Sequence, residues 1–255
     1  MRLAILAALP WLAWGCFVPE IAVEPRYGPV DVEGEIGISS GSSSATNDVD
    51  AVGIEDDDGA LGVRGDFKWG SPHLTLDLQQ STHDGDGVLE ADLSQGGVTI
   101  AAGTPVETDF DLGLYSAYLT FDLIPGDLEL GLGFGVAGVD LDFESTDPGT
   151  GQSVSTDELL PVPMIAGRAG IGLGPVDLEA LVGAMAYKSG DTDVTLVDGH
   201  ASGRFRILGD GDRLSGALVG GLRYVMIDAE YEDGSDDVTG DLEVLGPFVG
   251  LRLQF

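Results

Sequence analysis

The chain has 255 residues, of which 43% are hydrophobic, and it carries a formal net charge of -33 at pH 7. The apolar share excludes a disordered acidic protein, and no apolar run reaches the roughly 18 residues that a membrane-spanning helix requires. The acidity excludes an exterior that binds nucleic acid phosphates, so we expect no nucleic acid partner. The length and composition therefore favour one large β domain in which apolar and charged residues are segregated.

The N-terminus has the pattern of an export signal. Arg2 supplies a positive charge, and residues 3–14 form an apolar segment that is too short to span a membrane. We expect a signal peptide over residues 1–15, followed by a periplasmic linker over residues 16–27.

Cys16 is the only cysteine in the chain, so no internal disulfide can form. The pair Gly15-Cys16 resembles the end of a lipoprotein signal, in which the cysteine is acylated. Lipid attachment at Cys16 and plain cleavage before it both remain open.

Residues 28–255 alternate between apolar and polar side chains in ten segments, a period typical of β-strands. The segments lie near residues 30–38, 61–69, 74–79, 109–123, 128–136, 165–173, 176–182, 200–207, 214–226 and 249–255. Short turns and long polar stretches separate them in strict alternation. The pattern predicts an all-β fold, a transmembrane antiparallel up-and-down β-barrel of about ten strands, with eight or twelve as the neighbouring counts.

The long polar stretches are predicted to be acidic extracellular loops, at residues 39–58, 83–107, 144–158, 189–198 and 230–241. The second of them includes a candidate hairpin through Val98 and Ile100. The alternation changes phase at Tyr115, which predicts a β-bulge there. We expect the apolar face of each strand to contact lipid and the polar face to line the lumen.

The last strand places Val249, Leu251, Leu253 and the terminal Phe255 on one face. This ending resembles the C-terminal sorting signal of bacterial outer-membrane β-barrels. The resemblance implies an integral outer-membrane protein that contacts lipid and lipopolysaccharide and meets the barrel-insertion machinery through its C-terminal strand. A soluble β-sandwich or lipocalin-like barrel, with its apolar face inside, is the competing architecture.

Most basic residues fall on the polar strand faces, and together with two acids they predict a charge network in the lumen: Arg64, Lys68, Asp77, Arg168, Asp198, Arg204, Arg206, Arg223 and Arg252. Pairing about the short turns predicts Arg64 near Asp77 and Arg223 near Asp198. A barrel of this strand number encloses little more than its own side chains, so we expect a plugged lumen.

The predicted loops contain 24 of the 44 acidic residues and no lysine or arginine. One interpretation is a solvated, self-repelling surface. The other is Ca²⁺ binding by clustered carboxylates, with Asp56, Asp57, Asp58, Asp84 and Asp86 as weak candidates because they do not match the spacing of an EF-hand loop. We expect no other cofactor.

Two patterns suggest catalysis. Asp84-x-Asp86 and Asp198-x-His200 resemble the Asp pair and Asp-His pair with which omptin proteases activate water at the outer mouth. His200-x-Ser202 resembles the dyad of an outer-membrane lipid A deacylase, in which a histidine activates a serine. Both patterns are short, so the sequence favours a non-enzymatic barrel with a structural or surface-interaction role. A narrow channel or small-ligand carrier and an omptin-like hydrolase are the alternatives.

Overall fold

A computed structural model describes residues 19–40, 46–54, 58–95, 97–124, 128–189, 192–209, 214–233 and 236–255. The predicted signal peptide and Cys16 lie outside these residues. No helix of the described ranges is long and apolar enough to cross a membrane.

Ten long antiparallel strands form the wall of a barrel. They are β1 (Glu20–Ser40), β3 (Asp58–Lys68), β4 (Pro72–Val88), β7 (Pro105–Ile124), β8 (Leu128–Asp147), β9 (Gln152–Leu173), β10 (Val176–Ser189), β11 (Thr192–Leu208), β12 (Ser215–Asp233) and β13 (Asp236–Gln254). Each pairs with the next in the chain, and β13 pairs with β1, which closes the ring. The prediction of an antiparallel barrel of about ten strands is confirmed.

Three short strands lie outside the wall ring. β2 (Asn47–Asp48) lies in the first outer connection and pairs with β1 at Glu35 and Ile36. β5 (Leu93–Gln95) pairs with β6 (Val98–Ile100). The candidate hairpin through Val98 and Ile100 is therefore present.

The first strand begins earlier than the sequence predicted, because β1 starts at Glu20 and residues 20–27 belong to the wall. The predicted linker over 16–27 is wrong for this part. Pro25 and Pro29 suggested a linker, but both lie on the outward face of a long strand. Proline is tolerated there because it lacks only the donor directed at one neighbouring strand.

Three of the five outer connections are mostly strand. The segments predicted as loops over 144–158, 189–198 and 230–241 continue β8 to β13 beyond the membrane, with short tips between them. The tip at residues 148–151 is held by Asp147, whose carboxylate accepts bonds from the Thr150 hydroxyl at 2.6 Å and the Gly149 amide at 2.7 Å. These bonds lower the pKa of Asp147, so their contribution to the tip is lost as the pH falls through that pKa.

The polarity of the two strand faces reverses along β7. In its periplasmic half, Leu119 and Phe121 face outward while Tyr118 and Thr120 face the lumen. In its outer half Phe110 and Leu112 are buried inside the barrel. The alternation of inward and outward positions does not change, and the pairing with β8 is continuous through Tyr115. The predicted bulge at Tyr115 is therefore wrong, because the environment changes there and the register does not.

The same reversal occurs along β8 and β1. On β8, Leu132 and Phe134 face outward in the half of the strand near the short turns. In the other half the acidic Asp142 faces outward and the apolar Phe143 is buried inside. On β1 the buried side chains include Val32 and Ile38. The expectation that every apolar face contacts lipid is wrong for the outer half of the barrel, where the apolar face is interior.

The barrel thus consists of two stacked parts. The apolar belt is the ring of outward-facing apolar side chains on the periplasmic half, which includes Leu76, Phe121, Leu132, Ile165 and Leu251. The outer cylinder is the part beyond it, which comprises residues 30–40, 80–88, 105–114, 138–147, 152–162, 192–196, 226–233 and 236–244. An outward apolar band on a closed barrel is the feature that allows strands to cross a lipid bilayer.

Candidate functional site: the lumen

Alternate positions on the strands of the apolar belt point into the lumen, and many of them carry charge. The lumen charge network consists of seven basic and seven acidic residues joined by ion pairs: Arg26, Arg64, Lys68, Arg168, Arg204, Arg223 and Arg252 with Glu24, Asp66, Asp77, Asp122, Glu129, Glu179 and Asp198. Its formal charge is zero. The excess negative charge of the chain therefore lies elsewhere.

Arg64 lies at the centre of the network, with only 1% of its surface exposed. Its Nη2 is 2.9 Å from Asp66 Oδ1 on the same strand and also bonds Glu179, which comes from β10. The Glu179 carboxylate in turn accepts from Arg204 Nη2 on β11 at 3.1 Å. These bonds connect walls that lie far apart in the sequence, across the width of the lumen.

A second cluster lies around Asp77 on β4. Its Oδ2 is 2.8 Å from Arg26 Nη1, and its Oδ1 is 3.2 Å from Arg223 Nη1. Arg223 Nε is 3.2 Å from Asp198 Oδ1, and the Tyr118 hydroxyl donates to Asp198 Oδ2 at 2.9 Å. Each carboxylate in this cluster therefore has more than one donor, which offsets much of the cost of removing it from water.

Two glycines make room for Tyr118 to reach across the lumen. A Cβ at Gly135 would lie 2.5 Å from Tyr118 Cδ1, and a Cβ at Gly183 would lie 2.5 Å from its hydroxyl oxygen. A side chain at either position would displace the ring, so the contact between Tyr118 and Asp198 depends on both glycines.

The periplasmic end of the network is less buried. Arg168 Nη2 is 2.6 Å from Asp122 Oδ1, and its Nη1 is 2.9 Å from Glu129 Oε2. Lys68 also bonds Glu129. Below them a cavity of about 370 Å³, lined in part by Glu20, Arg206 and Gln254, opens toward the side of the short turns.

Above the network, the interior of the outer cylinder is mostly apolar, with buried polar side chains at Ser81, His83, Thr108 and Ser145 along one side. Buried side chains from at least seven wall strands pack together there, and two outer connections add further apolar residues: Val32, Ile38, Phe110, Leu112, Val139, Phe143, Val154, Leu196, Ile227, Leu242, Val49, Ile54, Leu89 and Leu93. We call this set the apolar layer. Asn47 helps to hold the two connections together, because its side-chain oxygen accepts from the amides of Glu90 and Ala91 at 2.8 Å each.

The structure resembles solved structures of outer-membrane proteins. The outer membrane protease OmpT from Escherichia coli matches with a TM-score of 0.58 at 8% identity, over 92% of this chain and 97% of that one. OprG, an outer membrane protein from Pseudomonas aeruginosa, matches with a TM-score of 0.40 at 11% identity, over 94% and 98% of the two chains. No family model and no curated protein matches the sequence.

The chain therefore has the fold of an outer-membrane β-barrel. At such low identity the likeness to OmpT concerns the fold alone. The closed ring of ten strands excludes the β-sandwich alternative, and the apolar belt is the feature expected of a barrel that spans a bilayer.

The residues predicted for the charge network do not all have the partners expected. Arg64 lies opposite Asp77 in the β3–β4 ladder, but its guanidinium bonds Asp66 and Glu179 instead. Arg206 lies at the periplasmic rim of the outer-membrane barrel, 43% exposed on its side chain, with its Nη2 3.5 Å from Asp177 Oδ2. It is therefore peripheral to the buried network.

Sequence reasoning missed six members of the network: Glu24, Arg26, Asp66, Asp122, Glu129 and Glu179. Glu24 and Arg26 were assigned to a linker. Asp66 lies two positions from Arg64 and therefore on the same strand face, which is a signal that the sequence does contain. A search for acids two positions from each strand arginine would have found Asp66, whereas Glu24 could be found this way only with Arg26 placed on a strand.

The structure does not bring the omptin-like candidates together. Asp84 and Asp86 are exposed on the outer surface of β4, whereas Asp198 and His200 are buried in the lumen. The barrel wall therefore separates the two pairs. His200 Nε2 lies 3.4 Å from Asp198 Oδ1, beside the charge network.

The deacylase-like pair also lies inside the lumen. His200 and Ser202 are both buried on the inner face of β11. His200 pairs with Arg223 on β12, and Ser202 pairs with Glu179 on β10. Among the described residues, no hydrogen bond joins the Ser202 hydroxyl to His200. The apolar belt lies on the opposite side of the wall, so an acyl chain in the membrane does not reach this serine.

Three of the five Ca²⁺ candidates lie within the described residues. Asp56 and Asp57 lie outside the described residues, and Asp58 begins β3. Asp84 and Asp86 stand apart from them on β4, and within the described ranges no group of three His, Cys, Asp or Glu residues could hold a metal ion. Ca²⁺ binding by the acidic clusters therefore stays a prediction from the sequence.

Like charges face each other across the ladders of the outer cylinder. Asp111 pairs with Asp142, and Asp109 lies between Asp84 and Glu144. Directly opposed like charges destabilise a sheet, and salt screens charges that are exposed. We expect the melting temperature in detergent to rise with NaCl, and the rise to be smaller in Asp142→Asn. If Ca²⁺ at matched ionic strength raises it no further than NaCl, screening alone explains the effect.

Proposed function

We propose that this outer-membrane barrel is a non-conducting protein with a structural or surface-interaction role. The observation that carries the proposal is the presence of two barriers in series, the lumen charge network and the apolar layer above it. Ions that pass the first would have to enter an apolar interior, which is costly because they lose their hydration. The outer cylinder then presents an acidic surface beyond the membrane.

Three further observations support this role. The apolar belt faces lipid, and above it the outward side chains of the outer cylinder become acidic, at the level of lipopolysaccharide and the external medium. Leu251, Leu253 and Phe255 are exposed on the outer face of the C-terminal segment, where we propose that the insertion machinery contacts them. The candidate catalytic residues do not converge, so we propose that the protein is not an enzyme.

The proposal is tested by reconstituting the full chain in planar bilayers and recording the current. We expect no defined conductance steps in the wild type. Combined substitution of Phe110 and Phe143 by alanine removes side chains from the apolar layer and is expected to produce a leak. The matched control is Phe134→Ala, which shortens a lipid-facing side chain 60% exposed in the isolated barrel. Steady conductance steps in the wild type would instead establish the channel alternative.

A further inference from the structure

The ladder that closes the barrel, between β1 and β13, keeps a single register but is interrupted. Tyr27 pairs with Val249, and Asp31 pairs with Leu245. Lower in the seam, residues 24–25 and 251–252 are unpaired with each other. Between the Tyr27 and Asp31 pairs, residues 28–30 and 246–248 form no pairs with each other, although both strands are described throughout this stretch. We call this stretch the closure gap.

Two prolines explain the interruption. Ile21 and Phe255 exchange both backbone hydrogen bonds across the seam, at 3.4 and 2.8 Å. Hydrogen-bonded pairs alternate along an antiparallel ladder, so the odd-numbered residues of both strands direct their amides into the seam. Pro29 and Pro247 face each other at such a position, and neither has an N–H to donate. Both bonds of that pair are therefore missing.

The chain contains its own comparison for this effect. Pro161 and Pro163 on β9 face Gly138 and Val136 on β8, yet the β8–β9 ladder is unbroken at both positions. These two prolines direct their backbone nitrogens at β10, because residues 173 and 176 close a two-residue turn and hydrogen-bonded pairs alternate from there. The β9–β10 ladder ends at Ile165 and Ala184, just before Pro163, so a proline interrupts the ladder that its missing donor faces. At the closure gap the two missing donors are directed at each other.

The closure gap lies at the upper edge of the apolar belt. Tyr27 is exposed on the outer surface below it, and the acidic positions of β1 begin above it with Asp31. Behind it, inside the wall, is a small void of about 10 Å³ lined in part by Gly28, Gly246 and Phe248. The gap therefore faces the outer leaflet of the membrane and has a small void behind it.

We propose that the barrel opens sideways at the closure gap, toward the outer leaflet, while the rest of the wall stays closed. Close approach of the two strands opposes this opening. A Cβ at Gly28 would lie 1.9 Å from the Pro247 carbonyl oxygen, so the strands meet only because residue 28 has no side chain. The gap is a preformed weak point in the seam, which is paired directly above and below it and is interrupted once more where residues 24–25 face residues 251–252.

Amide hydrogen exchange, measured by NMR on the full chain in phospholipid nanodiscs, tests this proposal. The amides of Leu245 and Val249 are directed at β1, whereas those of Val244 and Phe248 are directed at β12, on the same strand and at the same depth. The two bonds missing between Pro29 and Pro247 predict that the amides directed at β1 exchange about tenfold faster or more than those directed at β12. Equal protection of the two pairs would overturn the proposal.

Two variants extend the test. Replacing both Pro29 and Pro247 by valine restores the missing donors and should slow exchange of Leu245 and Val249 to the rate of their neighbours, whereas Pro163→Val should leave these amides unchanged. Gly28→Ala should separate the strands and accelerate the same exchange. If the double valine variant folds and exchange at Leu245 and Val249 does not slow, the missing donors are not the cause and the proposal fails. If it does not fold, the wild-type comparison and Gly28→Ala decide.

Discussion

Arg64→Ala is expected to lower the free energy of unfolding by about 3 to 5 kcal/mol, the usual cost of removing one partner from a buried ion pair. The guanidinium of Arg64 bonds both Asp66 and Glu179, and its removal leaves the network with one more acid than base. Thr75, whose hydroxyl donates to Asp66 Oδ1 at 3.0 Å, keeps part of the solvation of that carboxylate. This remaining bond places our expectation toward the lower end of the range.

The measurement is urea unfolding of the barrel in detergent micelles or lipid vesicles, monitored by circular dichroism. Arg206→Ala is the matched control, because the same side chain is removed from a half-exposed pair at the periplasmic rim, where the loss should stay below about 1 kcal/mol. Adding Glu179→Gln to Arg64→Ala should recover part of the loss, since it removes the excess negative charge that the first substitution leaves in the network. Equal losses for Arg64→Ala and Arg206→Ala would show that the buried network does not stabilise the barrel.

The network also shows which contacts a sequence can predict. Pairing about a short turn places Arg64 opposite Asp77, and the ladder has that register. The side chain of Arg64 nevertheless extends across the lumen to Glu179, 115 positions away in the chain. Turn geometry determines neighbours along the wall, whereas contacts across the lumen depend on how all ten strands close. No local pattern in the sequence contains that information.

The barrel architecture could be predicted because alternation survives in every wall strand, whatever the environment on either side. What alternation does not reveal is which face is inside. In β7 the apolar residues change from even to odd positions near Tyr115, and a phase change in sequence is the usual sign of a bulge. The actual cause is that the strand leaves the membrane, so lipid outside and charge inside give way to water outside and the apolar layer inside.

The reversal of the apolar and polar faces along β7 leads to the second prediction of a large change in the free energy of unfolding. We expect Phe110→Ala to lower the free energy of unfolding by about 3 to 5 kcal/mol, because it creates a cavity where the ring is only 1% exposed. Its neighbour Asp111 points outward, where it faces Asp142. Asp111→Leu should therefore change stability by less than about 0.5 kcal/mol in either direction, or raise it slightly by removing a like-charge contact.

The two neighbours together distinguish this arrangement from a barrel whose apolar faces all contact lipid. In that arrangement Phe110 would lie in the membrane, and its truncation would cost much less than creation of a buried cavity. Asp111 would then line the lumen, and leucine there would leave its partners unpaired. A large loss for Asp111→Leu combined with a small loss for Phe110→Ala, both from equilibrium urea unfolding, would contradict the reversal. The wall beyond the apolar belt would then be a continuation of the membrane barrel, and the apolar layer could not act as the second barrier.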